Sequence, residues 1–213
     1  ALVFLHKALT LFGLISSPLR DETLGGSHRL VQCLQSQYQL QSALIGGRLS
    51  RRLVFVLGMH RSGTSALTGL LTRFGLSGPV DPLPANPDNQ RGFFEAYSIY
   101  NENEVFLARL SSHWSSSLPL EPDWMYGPIA SQWRANLIRS FASSFADTDL
   151  PLIKDPRFCI LLPGLESWFQ SGLLQPAFLI PVRHPFEVAN SLYKSQGLAY
   201  QQCLRLWLKS LFL

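Results

Sequence analysis

The chain has 213 residues, of which 46% are hydrophobic and 15% charged, a makeup that can bury a sizeable core and excludes a natively disordered chain. A formal charge of +4 with no block of like charges excludes a nucleic-acid-binding tail and is compatible with an anionic small ligand. The absence of any run of about 18 apolar residues argues against a transmembrane helix, while Cys33, Cys159 and Cys203, odd in number and without metal-binding spacing, argue for packing roles, a reducing cytoplasmic compartment and no zinc site.

Residues 1–50 read as a helical appendage or linker. "ALVFLHKALTLFGLISS" is interrupted by His6 and Lys7, which places charge inside the apolar run rather than before it, so it reads as a helix of a soluble protein and not as a signal peptide. After the breaker "SSPLRDETLGGS", a Gln-rich segment with Leu30, Leu34 and Tyr38 at a spacing of four predicts a second helix, ending at Gly46-Gly47. The chain lacks an initiator Met and stops in "CLRLWLKSLFL" without a helix-ending signal, so both ends are expected to be cut from a longer protein.

Residues 51–213 read as an α/β domain. "RLVFVLG" is a continuous β-branched and apolar run suited to a strand buried on both faces of a parallel sheet. Leu67, Leu70, Leu71 and Phe74 give the segment after Gly63 helical spacing, and a long loop with four prolines, "LSGPVDPLPANPDNQRGFFE", follows. Helices are expected over Tyr97–Leu110 and Ser131–Ala146. Then come a strand ending at Lys154, a helix in "CILLPGLESWF", a strand "PAFLIPVRHP" ending near Arg183, and a helix in "FEVANSLYKS". Strands alternating with helices predict a mostly parallel central sheet with helices on both faces and ligands at the carboxyl ends of the strands.

Three polar clusters fall at those ends. The first, "GMHRSGTS", has the G-x-x-x-x-G spacing of a phosphate loop from Gly58 to Gly63, with Ser65 in the Ser/Thr position but Thr64 where the lysine belongs. A turn between a buried strand and a helix N-terminus presents N–H groups and the positive end of the helix dipole to an anion. The cation here is Arg61, which suits a ligand without a γ-phosphate. The second is "PVRHPFEVANSLYKSQGL", with Arg183 at a strand end and Ser191 eight residues later. The third, "IKDPRF", offers Lys154 and Arg157 as contacts for an anionic part of a cofactor or acceptor; pairing of Asp155 with Arg157 to structure a turn is the competing explanation.

With these residues the chain resembles the sulfotransferase family, closer to its bacterial branch than to the cytosolic aryl sulfotransferases. In that family a loop of the form [KR]-S-G-T-[ST] binds the 5′-phosphosulfate of 3′-phosphoadenosine 5′-phosphosulfate (PAPS), and the matching residues are Arg61, Ser62, Gly63, Thr64 and Ser65. The resemblance assigns Arg183 and Ser191 to the 3′-phosphate, and it implies a three-layer P-loop-like domain over residues 52–213, incomplete at its C-terminus. It also implies PAPS as co-substrate, no metal, and a small-molecule or glycan acceptor.

Sulfuryl transfer needs a base for the acceptor. Glu95, between the long loop and the following helix, is the first candidate because related sulfotransferases have a glutamate at a similar aromatic-Glu position. His60 is its rival, although a histidine beside phosphate tends to be protonated. Asn101 and Glu102 are expected to reach the acceptor from the same helix, and Phe93, Phe94, Tyr97, Trp114 and Trp124 to flank the cleft. A P-loop kinase or NTPase and a non-catalytic nucleotide-binding module are the alternatives.

Overall fold

A computed structural model of the chain describes residues 25–45, 51–86, 89–90, 92–146 and 148–212. The helix expected near the N-terminus and the Gly46-Gly47 break lie outside them. The architecture is mixed α/β around an open parallel sheet of order β2-β1-β3, in which β1 is Arg52–Val56, β2 is Leu152–Lys154 and β3 is Gln175–Leu179. Val54 lies opposite Leu152 on one side and Ala177 on the other.

Because β1 is central, both of its faces are covered, which is why its sequence is apolar at every position after Arg52. Val54 and Val56 join Leu152 under Leu67 and Leu71 of α2 (Thr64–Arg73). Leu53 and Phe55 belong to the larger core formed with α3 (Tyr97–Arg109), α4 (Pro128–Ser144) and α5 (Phe158–Leu161). No helix among the described residues is long and apolar enough to cross a membrane.

The segment expected as one helix over "CILLPGLESWF" is broken into α5, a 3-10 turn over Leu162–Leu165 and α6 (Glu166–Gln170). Pro163 cannot donate to the preceding turn, and Gly164 lies so close to Trp133 and Trp124 that a Cβ there would come within 2.7 Å of the first and 2.9 Å of the second. β3 also stops early, at Leu179 rather than near Arg183. Its partner β1 ends at Val56, and Pro181 has no N–H to continue a ladder.

The Gln-rich segment forms α1 (Gly25–Ile45), but its buried face is not the one marked by Leu34 and Tyr38. Those side chains are 53% and 74% exposed, whereas Gln32, Ser36 and Leu40 are 8%, 4% and 0% exposed. The helix docks through Leu40, Ala43 and Leu44 in the core and through polar groups: Gln32 Oε1 accepts from the Gly127 amide at 2.8 Å, Ser36 Oγ accepts from Trp168 Nε1 at 2.6 Å, and Gln37 Nε2 donates to the Ser167 carbonyl at 3.1 Å. Residues 25–45 pack against the α/β region through these contacts.

The long loop is tied back on itself. Asp81 Oδ2 accepts from the Ser98 amide at 2.9 Å and its carbonyl accepts from Tyr97 at 2.7 Å, so Asp81 satisfies the otherwise free N–H groups at the start of α3. The Leu83 amide donates to the Glu95 carbonyl at 2.7 Å. Phe94 takes a left-handed φ of 58°, costly for a bulky residue, and its ring lies over Gly69, where a Cβ would be 2.9 Å away. These constraints turn Glu95 inward just before α3.

Two substitutions on α1 separate the buried from the exposed face. Ser36→Ala leaves the buried Trp168 N–H without a partner and is expected to cost about 1–3 kcal/mol; Leu34→Ala is expected to stay within about 0.5 kcal/mol of the parent. Urea unfolding of both variants measures the difference, and equal effects would contradict the docking described.

Candidate active site

A cleft of about 240 Å³ opens at the carboxyl ends of the strands, lined by loop residues after β1, by Lys154 at the end of β2 and by Arg183 after β3. Of the residues singled out from sequence, His60, Arg61, Gly63, Thr64, Ser65, Glu95, Lys154 and Arg183 line it together. Asn89 and Phe93 join them from the long loop, and Asn89 Nδ2 donates to the Gly92 carbonyl at 2.7 Å. Asn89 carried no sequence signal, because it is one of several turn-forming residues in that loop.

The loop from Leu57 to Gly63 is anchored at both ends. The Gly58 amide donates to Cys159 Sγ at 3.0 Å, and burial pushes that thiol's pKa up to about 12, so Cys159 remains a neutral acceptor under the loop. Met59 is buried against Val188, Ala189 and Leu192 of α7 (Pro185–Gln196) and against Cys203 and Leu206 of α8 (Tyr200–Phe212). Arg61 and Gly63 both take left-handed φ, 69° and 94°, to turn the chain into α2. The first N–H groups of α2 then face the cleft without partners inside the helix.

Ser62 and Thr64 are both buried in the loop. The Ser62 hydroxyl donates to the Met59 carbonyl at 2.6 Å inside the loop, and Thr64 is buried with its methyl against Gly58. Ser65 Oγ reaches the Phe93 carbonyl at 3.4 Å and stays half-buried at the cleft wall.

The second cluster meets the first. Arg61 Nε donates to Ser191 Oγ at 2.8 Å, and an Arg183 NH1 donates to the Arg61 carbonyl at 3.2 Å. Arg183 Nε also donates to Glu187 Oε2 at 2.8 Å, one turn further along α7. That hydrogen bond lowers the Glu187 pKa, but both side chains are exposed and such pairs hold weakly.

Below the cleft the charges are buried. Lys154 Nζ pairs with Glu95 Oε1, and Arg157 is surrounded by Glu95 Oε2 at 3.5 Å, Asp155 Oδ1 at 2.8 Å and Glu104 Oε1, with the Tyr100 ring 4.4 Å from its guanidinium carbon. Asp155 also accepts from the Arg157 amide at 2.9 Å and from Asn103 Nδ2 at 2.9 Å, and Asn103 in turn accepts from Trp133 Nε1 at 2.9 Å. Arg157 forms the expected turn with Asp155 and lies beneath the cleft wall, lining a small neighbouring cavity with His60 and Trp114. Lys154 keeps its place at the cleft.

The α3 residues that reach this cluster are Tyr100, Asn103 and Glu104. Asn101 is exposed on another face, and Glu102 accepts from Asn136 at 2.7 Å. Trp124 is not at the cleft either: it packs edge-on against Trp133 and tilted against Phe106 in the core. Tyr97 is exposed, and the Trp114 ring lies tilted against His60 with ring centroids 4.3 Å apart. The inward face of α3 carries Ile99, Asn103, Phe106 and Leu107, and Asn101 falls off it. Among the described residues no group of three or more His, Cys, Asp and Glu side chains is placed to hold a metal ion.

The electrostatics of the two candidate bases differ. Burial raises the Glu95 pKa; Lys154 opposes that most strongly, Asp155 adds to it, and Arg157 opposes it. Burial lowers the His60 pKa well below 6.5, and Arg157, Lys154 and Arg61 push it further in the same direction. Both effects favour the neutral imidazole at neutral pH. Burial contributes most to this shift, and the surrounding cations add to it.

A histidine whose pKa is depressed on folding binds more protons when unfolded, so its contribution to stability is present above the ordinary imidazole value of 6.5 and is lost as pH falls below it. His60→Gln is expected to lose less stability than the parent on acidification through that window, as read from thermal melts on either side of it. Identical losses would contradict a neutral His60.

Comparison with protein families, curated proteins and solved structures finds no match to this chain.

Proposed function

We propose that the chain is a sulfotransferase that moves the sulfuryl group of PAPS to a hydroxyl or amine of a small-molecule or glycan acceptor. The observation that carries this reading is the meeting of two distant motifs, Arg61 with Ser191 at 2.8 Å and Arg183 with the Arg61 carbonyl at 3.2 Å. A single glycine loop before a helix suits many anions. A second cation and hydroxyl beside it support a ligand with two separated anionic groups, such as a nucleotide carrying both 5′ and 3′ phosphates.

The residues present fit such a ligand. The loop amides at the start of α2, with Arg61, suit the 5′-phosphosulfate, and a cleft of about 240 Å³ matches that end of the molecule rather than the whole nucleotide. Arg183 would keep its bond to the Arg61 carbonyl and exchange the exposed carboxylate of Glu187 for a 3′-phosphate. Thr64, buried in the position of a Walker lysine, offers nothing to a γ-phosphate, which weighs against the kinase alternative. The three-layer P-loop-like description belongs to this reading, supported by helices packed against both faces of β1. A cytoplasmic location belongs to it too, supported by the free thiols of Cys159 and Cys203.

In this reading Glu95 accepts the proton of the acceptor group as its oxygen or nitrogen bonds to sulfur. The bond from sulfur to the bridging phosphate oxygen breaks, and 3′-phosphoadenosine 5′-phosphate leaves with that electron pair. The protein's contribution is alignment and stabilisation of charge on the departing phosphate, supplied by Arg61, Lys154 and the loop amides. A raised pKa makes Glu95 a better proton acceptor than an ordinary surface carboxylate.

Calorimetric titration distinguishes this ligand from simpler nucleotides. One charge-assisted contact of about 1.5–3 kcal/mol predicts that 3′-phosphoadenosine 5′-phosphate binds about tenfold or more tightly than AMP, and that Arg183→Ala abolishes the difference. Equal affinities of the parent protein for the two nucleotides would contradict the assignment.

A further inference from the structure

We propose that Glu104 is a positioning residue: by competing with Glu95 for Arg157 it determines how firmly that guanidinium holds Glu95, and with that the pH at which Glu95 takes its proton. Glu104 was not among the residues the motifs singled out. It lies on α3, one turn after the Tyr100 whose ring covers the guanidinium, so the two side chains grip Arg157 from one helix face. Nε of Arg157 is bonded to Glu104, and one NH1 is divided between Asp155 at 2.8 Å and Glu95 at 3.5 Å. The contact to Glu95 is the longest of the three. A guanidinium drawn toward Glu104 and Asp155 is drawn away from Glu95.

Burial makes the competition consequential. The side chains of Arg157, Glu95 and Asp155 are 5%, 5% and 1% exposed, so water screens their interactions poorly. Glu104, at 31%, is the carboxylate of the three that reaches solvent, so its charge can be removed without leaving a cavity or a wholly buried orphan. The groups facing Glu95 are Lys154 from the end of β2, Asp155 and Arg157 from the turn that follows, and, through Lys154 and Arg157, His60 and Arg61 from the anion loop. Glu104 is the contribution of α3.

The sign follows from this arrangement. Neutralising Glu104 removes a negative charge from the cluster and frees Arg157 to close on Glu95. Both changes favour the ionised form of Glu95, which then takes its proton at lower pH. The effect on rate, but not the titration, rests on Glu95 being the base of the proposed transfer.

Carbon-13 NMR of labelled glutamate carboxyls follows the titration of Glu95 in the full chain without any need for turnover. Glu104→Gln is expected to move it to lower pH by about half a unit, less than the roughly 1–3 units of a directly adjacent charge. Glu104→Ala, an independent truncation should the Gln variant fold poorly, is expected to move it in the same direction, and Glu104→Asp to restore it towards the parent value. An unmoved Glu95 titration in the folded Gln or Ala variant overturns the proposal. If sulfuryl transfer is measured alongside, the acid limb of its pH profile moves with the titration; a shifted titration without any transfer removes the sulfotransferase reading and leaves the role of Glu104 standing.

Discussion

Arg157 is the joint on which the site depends. Its side chain is 5% exposed, and its guanidinium binds carboxylates from three parts of the chain: Glu95 before α3, Asp155 after β2 and Glu104 within α3. Taking so many charges out of water is costly, and the cost is offset only while every partner stays in place; removing one member of a buried pair typically costs about 3–5 kcal/mol. The cluster therefore fixes α3 against the sheet end and fixes the direction in which Glu95 points. Lys154, paired with the other oxygen of Glu95, and Glu95 itself are the side chains through which this buried network reaches the cleft.

Above that network the anion loop is held by different means. Met59 packs between α7 and α8, Cys159 accepts from the Gly58 amide, and Ser62 closes the loop through its own hydroxyl. These contacts shape the loop backbone, and Arg61, Gly63, Thr64 and Ser65 line the cleft. The sheet order β2-β1-β3 accounts for the convergence, since it places the ends of β2 and β3 on either side of the loop that follows β1.

Much of this was legible in the residues themselves. The apolar run of β1 and the glycine turn into α2 define their own surroundings, since a strand buried on both faces has no polar alternation to misread. The polar clusters at the strand ends were recognisable for the same topological reason, and most of their members do meet in one cleft. What could not be read was the choice between faces. On α1 the residues that dock include Gln32 and Ser36, because Trp168 and Gly127 present N–H groups there; a rule that looks for apolar stripes selects Leu34 and Tyr38, which face water. On α3 the buried Asn103 answers to Trp133 and Asp155, and Asn101 lies off that face. Arg157, read as a possible ligand contact, is enclosed by partners that lie as far as 62 residues away in sequence. In each case the deciding group is distant in the chain, and local pattern carries no record of it.

The most direct measurement is transfer of labelled sulfate from PAPS to a panel of sugars, phenols and lipids, made with the parent protein and with Glu95→Gln. The account predicts label on at least one hydroxyl or amine acceptor with the parent, and loss of about 10²–10⁴-fold of that rate in the variant, the usual contribution of a positioned base. PAPS that binds in the cleft while label reaches no acceptor, or transfer that is indifferent to Glu95, would contradict it.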